Sequence, residues 1–70
     1  MKYLVVIETT ATGFSAYSPD VPGCIATGAS REEVEREIKA AIAFHLEGLK
    51  QEGEKLPQSS TSAAYVEVPV

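Results

Sequence analysis

The chain has 70 residues, with six Lys and Arg against ten Asp and Glu side chains and a net charge of −4 at pH 7. This length allows one hydrophobic core and therefore one domain. The acidic balance repels a phosphate backbone, which argues against direct nucleic-acid binding and favours a basic protein as partner.

Cysteine content and hydropathy limit how the fold can be stabilised and where in the cell the protein is expected. Cys24 is the only cysteine, so neither an intrachain disulfide nor a metal site with two thiolates can support so small a core. Self-association is the remaining source of stability, and we expect a homodimer or larger homo-oligomer. The first apolar run is too short for a signal peptide, and no run approaches the roughly 20 residues of a membrane helix. We expect a cytoplasmic protein that does not enter the membrane.

Four short segments have the composition of β-strands. Residues 2–8 are apolar on both faces, which is typical of a central strand. Residues 14–18 alternate and are expected to form a hairpin with them. Residues 24–28 predict a third strand, and residues 64–68 predict a last strand that returns beside the first.

A rigid loop separates the second and third predicted strands. Pro19 and Pro22 fix φ and remove two backbone donors, and Gly23 permits a left-handed turn. Asp20 lies between the two prolines and is a typical turn residue. Because such a loop holds its exposed side chains in place, Asp20 and Pro22 are candidates for contact with a partner.

One helix follows, and the sequence marks both of its ends. Ser30 and Glu33 predict a capping box, in which the Ser30 hydroxyl bonds to the Glu33 amide and the Glu33 carboxylate bonds to the Ser30 amide. Gly28 closes the strand before this box, and Gly53 is the expected C-terminal cap. The helix should therefore run over residues 31–52.

The helix has one apolar arc, which is expected to cover the sheet. Its members are Val34, Ile38, Ala41, Ile42, His45 and Leu49. His45 is therefore interpreted as a partly buried histidine, and it is a further candidate for partner contact. Phe44 falls beside the arc, where an exposed aromatic side chain suggests a contact surface. Packing of Phe44 against the final linker is the alternative.

Few residues could carry catalysis. Glu8, Asp20 and Glu67 could meet at a sheet edge and hold a metal ion, although solvated acids at strand ends are the ordinary interpretation. Cys24 and His45 are each single, and their spacing indicates neither a catalytic pair nor a metal site. We therefore expect no enzymatic activity, no cofactor and no metal site.

In combination, these residues resemble the N-terminal domain of HicB-type antitoxins. The most specific part is the run Pro19-Asp20-Val21-Pro22-Gly23-Cys24. The other matching positions are Tyr3, Val5, Ile7, Glu8, Gly13 and Ala16 in the first hairpin, Ala26, Gly28, Ser30, Glu32 and Glu33 around the helix start, and Ala41, Ile42, His45, Leu46, Glu47, Leu49, Gly53, Glu54, Leu56 and Pro57 in and after the helix. The resemblance covers residues 2–59, and the last predicted strand fits more loosely.

The resemblance implies a fold similar to a pared-down ribonuclease H core, with three antiparallel strands, one helix and a final strand. It also implies homo-oligomers and a function in binding and neutralising a small basic HicA-type toxin that cleaves messenger RNA. Such antitoxins carry a second, C-terminal DNA-binding domain, for which these 70 residues have no room, so residues 1–70 are expected to form a single domain.

Three functions follow from this combination of residues. The first is the antitoxin-like binding module, with Asp20, Pro22, Phe44 and His45 as the candidate partner-binding residues. These four residues could equally form the contact of a homo-oligomer. The alternatives are a minimal metal-dependent nuclease of ribonuclease H type, whose usual pattern of acids this sequence lacks, and an orphan oligomeric ligand-binding domain.

Overall fold

The computed structural model describes all residues from Met1 to Val70 and contains three strands and one helix. The strands are β1 (Val6–Thr10), β2 (Gly13–Tyr17) and β3 (Ile25–Gly28), and the helix is α1 (Arg31–Gln51). Both strand pairs are antiparallel, and β2 lies between β1 and β3. The α+β class and the first hairpin are confirmed. The helix lacks the apolar length that a membrane crossing requires.

The register of the sheet decides which residues face the helix. Ala16 and Ala26 are opposite each other in β2 and β3, and both belong to or pack on the core. Their neighbours therefore point to the other face, because successive side chains of a strand alternate. On that open face Tyr17 pairs with Val6 on one side and with Ile25 on the other.

The core lies between the sheet and α1, and it is small. Its six buried apolar residues are Ala16, Val21, Cys24, Val34, Ile38 and Ile42. The helix supplies the last three at a spacing of four residues, which makes one narrow stripe along its surface. Since α1 packs on β2 and β3, the β1 side of the sheet is only partly covered.

The N-terminal cap of α1 differs from the prediction in one bond. The Ser30 hydroxyl accepts from the Glu33 amide at 3.1 Å, as expected. The Glu33 carboxylate, however, accepts from the amide of Ala29 at 2.9 Å rather than from the Ser30 amide. This bond ties the connection after β3 to the first turn of the helix.

The C-terminal end of α1 is closed by backbone bonds. Gly53 has a φ of 72°, which favours glycine. Its amide donates to the Lys50 carbonyl, and the next amide, of Glu54, donates to the Leu49 carbonyl. This pair of bonds is a Schellman motif, so the predicted role of Gly53 is confirmed.

Two expectations about the strands are wrong. β1 is an edge strand rather than a central one, and residues 64–68 form no strand. The two errors have one cause, because no segment of this chain hydrogen-bonds to the outer edge of β1. Apolar, β-branched composition marks a segment that is able to pair, but pairing requires a partner strand. The relationship to ribonuclease H stays a prediction.

Gly28 is a point where the sheet and the helix approach closely. A Cβ atom at this residue would lie 2.8 Å from the backbone nitrogen of Val34 and 3.1 Å from its Cα atom. Because backbone atoms cannot rotate away, we expect Gly28→Ala to lower the free energy of unfolding by about 1–3 kcal/mol. Urea denaturation followed by circular dichroism measures the change.

Gly48 provides the matched control, because it lies in α1 and a Cβ atom there would meet nothing within 4 Å. Gly48→Ala should raise the free energy of unfolding by about 0.5–1 kcal/mol through better helix propensity. Equal effects of the two substitutions would contradict the close approach at Gly28.

Candidate partner-binding surface

The loop between β2 and β3 is held by buried residues on both sides of its exposed tip. Val21 and Cys24 are buried. The Val21 amide donates to the Ser18 carbonyl, and the Cys24 amide donates to the Val21 carbonyl, both at 3.2 Å. Pro22 and Gly23 are exposed between these anchors, and Gly23 has a φ of 88°. The loop therefore presents Pro22 on a rigid turn.

The Asp20 carboxylate binds the segment that follows the helix, residues 58–70, which we call the tail. One oxygen, Oδ2, accepts from the amides of Ser60 and Thr61 at 3.0 and 2.9 Å. The other oxygen, Oδ1, accepts from the Thr61 hydroxyl at 2.6 Å and from the Ser60 hydroxyl at 3.4 Å. Both oxygens thus have partners within the chain. The role of Asp20 in binding another protein stays a prediction.

These bonds also change the acidity of Asp20. The hydroxyl of Thr61 and then its amide lower the pKa of the Asp20 carboxyl below its ordinary value, because both stabilise the ionised form. The attachment of the tail is therefore strongest when Asp20 is charged.

Phe44 lies on the side of α1 that faces away from the core. At about 100° per residue it is roughly half a turn around the helix from Ile42, a member of the buried stripe, and its side chain is 85% exposed. Packing of Phe44 against the final linker is therefore wrong, and the ring is free to contact a partner.

His45 is exposed beside Phe44, so its interpretation as a partly buried histidine is wrong. The buried stripe runs from Val34 through Ile38 to Ile42, and Leu46 continues it at the same spacing as a half-buried residue. His45 lies to one side of this stripe. Its imidazole is available to a partner rather than to the core.

One contact joins the loop to the helix that carries the other candidates. The sulfur of Cys24 lies 3.9 Å from the carbonyl oxygen of Ala41, so the end of the loop rests on α1 one turn before Phe44 and His45. Pro22, Phe44 and His45 therefore belong to adjoining elements, which we call the helix-loop surface. Asp20 is not included in this surface, because its carboxylate binds the tail.

The open face of the sheet carries an apolar row that the sequence patterns did not single out as a contact surface. Tyr17 is 42% exposed and Ile25 is 69% exposed, and Val6 beside them is half-buried. The signal was present in the alternation of residues 14–18, because an inward Ala16 implies an outward Tyr17. The molecule thus has a second apolar surface, opposite the helix.

The ionisable residues considered for catalysis are not grouped into one site. No three His, Cys, Asp or Glu side chains are grouped to hold a metal ion, so Glu8, Asp20 and Glu67 do not form one site. Burial raises the pKa of the Cys24 thiol, which disfavours the nucleophilic thiolate. The recorded polar contact of Cys24 is with the Ala41 carbonyl and not with His45.

Comparison with known proteins identifies the class. Residues 3–69 match the family described as the HicB-like antitoxin of bacterial toxin-antitoxin systems. The match covers nearly the whole chain. The chain therefore belongs to the HicB-like antitoxin family, and the resemblance noted from its residues is confirmed.

Individual relatives support this assignment. The chain is 38% identical over 69 residues to an uncharacterized 14.9 kDa protein of Haemophilus phage HP1, covering 99% of the chain and 52% of the relative. It is 36% identical over 61 residues to a UPF0150 protein of Thermoplasma acidophilum, covering 86% of the chain and 88% of the relative. The chain thus spans about half the length of the phage relative and most of the archaeal one.

A solved structure is also similar. A chain of a HicA3 and HicB3 toxin-antitoxin complex matches with a TM-score of 0.70 and 33% sequence identity, covering 86% of this chain and 70% of that one. The fold and the sequence therefore agree on the same family. Membership in an antitoxin family favours a regulatory rather than a catalytic role.

The attachment of the tail to Asp20 can be tested by substitution. Asp20→Asn removes the charged acceptor, so the amides of Ser60 and Thr61 should exchange with deuterium at least several-fold faster. NMR-detected hydrogen exchange at neutral pH measures the change. Glu54→Gln is the control, because it removes the same charge near the tail from a side chain without a hydrogen bond to it.

The same bonds predict the direction of the pH dependence. Because the folded pKa of Asp20 is lowered, the stabilisation is present above the unfolded pKa, about 3.9, and is lost as pH falls through the lower folded value. The protection of the Ser60 and Thr61 amides, taken relative to the intrinsic exchange rate at the same pH, should therefore decrease below about pH 3.9 in the native chain. A native chain that exchanges as fast as Asp20→Asn at neutral pH would contradict the attachment.

Proposed function

We propose that this chain is an antitoxin domain that binds and neutralises a small basic toxin of the HicA type. The observation that carries the proposal is the match, at 33% identity and a TM-score of 0.70, to a chain of a HicA3 and HicB3 toxin-antitoxin complex. The net charge of −4 supports it, because an acidic domain is attracted to a basic partner over a distance.

The helix-loop surface is our proposed contact for the toxin. Phe44 lies between Ala40 and Gly48, one turn away on each side, and these small residues leave both sides of the ring open. Acidic Glu47 is exposed on the next turn. An exposed aromatic side chain with charged residues around it has the composition of an interface hot spot with a polar rim.

The mechanism that we propose is occlusion. A toxin that cleaves messenger RNA needs a basic surface for the phosphate backbone. An acidic domain that binds this surface covers it and competes with the phosphates for the same Lys and Arg side chains. The domain itself performs no reaction in this scheme. Because messenger RNA is translated in the cytoplasm, we place the domain there.

The role of Phe44 is tested by measuring its contribution to affinity. Phe44→Ala should weaken binding to a HicA-type toxin, inactivated by substitution of its catalytic residue, by about 2 kcal/mol, or about 30-fold. Isothermal titration calorimetry gives the dissociation constant. Growth of cells that express the active toxin reports neutralisation, which should be lost in parallel.

Ile25→Ala is the matched control, since it truncates an exposed apolar side chain on the opposite face of the domain. It should leave the affinity unchanged. Weakening by Ile25→Ala but not by Phe44→Ala would assign the toxin to the open face of the sheet. No binding by the native domain would reject the proposed function.

Charge attraction makes a separate prediction about rate. Raising the salt concentration from about 0.05 to about 0.5 M should slow association with the toxin by at least tenfold and change dissociation much less. Stopped-flow mixing measures both rates. An association rate that does not depend on salt would show that net charge has no part in the encounter.

A further inference from the structure

The chain exposes more surface than a compact monomer of its mass. Its accessible area is 5591 Å², which is about 1,300 Å² more than the roughly 4,250 Å² expected for a folded monomer of 7.5 kDa. The Cα radius of gyration is 14.0 Å, against about 11 Å for a compact chain of this length.

The tail accounts for much of this exposure. Every residue from 58 to 70 is exposed, and Tyr65 and Val66 are 107% and 78% exposed. Beyond the bonds of Ser60 and Thr61 to Asp20, the tail makes no backbone hydrogen bond to the rest of the chain. It therefore carries apolar side chains and unpaired backbone groups into solvent.

The outer edge of β1 has no strand paired with it, so it could accept an extended segment. The segment from residue 3 to residue 7, which leads into β1 and includes its first two residues, is apolar on both faces, as in strands that have neighbours on both sides, yet β1 pairs with β2 alone. A groove of about 390 Å³ lies between Tyr3, Val5 and Ile7 on one side and Ile38 and Ile42 of α1 on the other. The missing neighbour would cover this groove.

We propose that residues 63–69 of one chain pair as a β-strand with the β1 edge of a second copy, and that the exchange is reciprocal. Each chain supplies one tail without backbone pairing partners and one unpaired strand edge, so a two-fold dimer pairs both at once. In an extended strand Ala64, Val66 and Val68 share one face, which covers the groove beside α1.

The area available agrees with this pairing. A stable interface buries about 800 Å² per partner, and the excess exposure of about 1,300 Å² per chain exceeds that amount. The Asp20 bonds fix the tail at Ser60 and Thr61. The start of the tail is therefore already ordered in the single chain, which lowers the entropy cost of pairing with a second copy.

The tail of the same chain is the competing occupant of the β1 edge. Ala63 and Tyr65 line a smaller groove together with Leu4 and Val6, so in the single chain the tail already lies beside this edge, although it makes no backbone hydrogen bond to it. The experiment must therefore distinguish pairing between chains from pairing within one chain.

Cysteine cross-linking makes this distinction. Chains that carry Leu4→Cys and chains that carry Tyr65→Cys are mixed and oxidised with copper phenanthroline, while native Cys24 is buried. We expect a disulfide between the two kinds of chain, identified by mass spectrometry. In a chain with both substitutions, the product should be a covalent dimer. A product that is only an intrachain disulfide would overturn the proposal.

Sedimentation velocity tests the contribution of the valine face. The native chain should be dimeric or larger at about 100 µM, and Val66→Lys with Val68→Lys should weaken self-association at least tenfold. Glu67→Lys, on the opposite face of the same segment, should not. Circular dichroism verifies that all variants fold. A monomeric native chain, or equal effects of both changes, would overturn the proposal.

Discussion

The packing of α1 on β2 and β3 is the contact on which the rest of the structure depends. Three side chains of one narrow helical stripe, Val34, Ile38 and Ile42, form half of the buried core. Gly28 makes this packing possible, because its missing Cβ lets the backbone of the helix approach the sheet. So small a core leaves most of the surface of the chain available for contacts with other molecules.

The position of the helix on the sheet explains where those contacts can form. Phe44 is exposed on the side of α1 that faces away from the core, and β1 is only partly covered because α1 packs on β2 and β3. The two consequences lie on different elements. A toxin on the helix-loop surface and a second copy on β1 would therefore occupy separate areas, so that neutralisation and self-association need not exclude each other.

The sequence predicted the features that depend on near neighbours. The helix ends follow from Ser30 and Gly53, and the hairpin follows from alternation within residues 14–18, because caps and turns are local. The errors concern partners that are distant in the chain. The composition of residues 2–8 predicts a central strand, although β1 lies at the edge. The helical arc predicts a partly buried His45, because it does not show that the buried stripe continues through Leu46 and passes to one side of His45. The bonds between Asp20 and Thr61 span 41 positions and have no sequence signature.

A chain with an unpaired tail and an unpaired strand edge could aggregate as well as dimerise. If each tail paired with the next chain in an open series rather than reciprocally, the result would be a growing fibre. Two residues of the tail oppose such growth. Pro69 has no amide hydrogen to continue a ladder, and Glu67 places a charge that stacked copies would bring into register. In the proposed dimer, these two residues favour one closed pair of chains over a growing series.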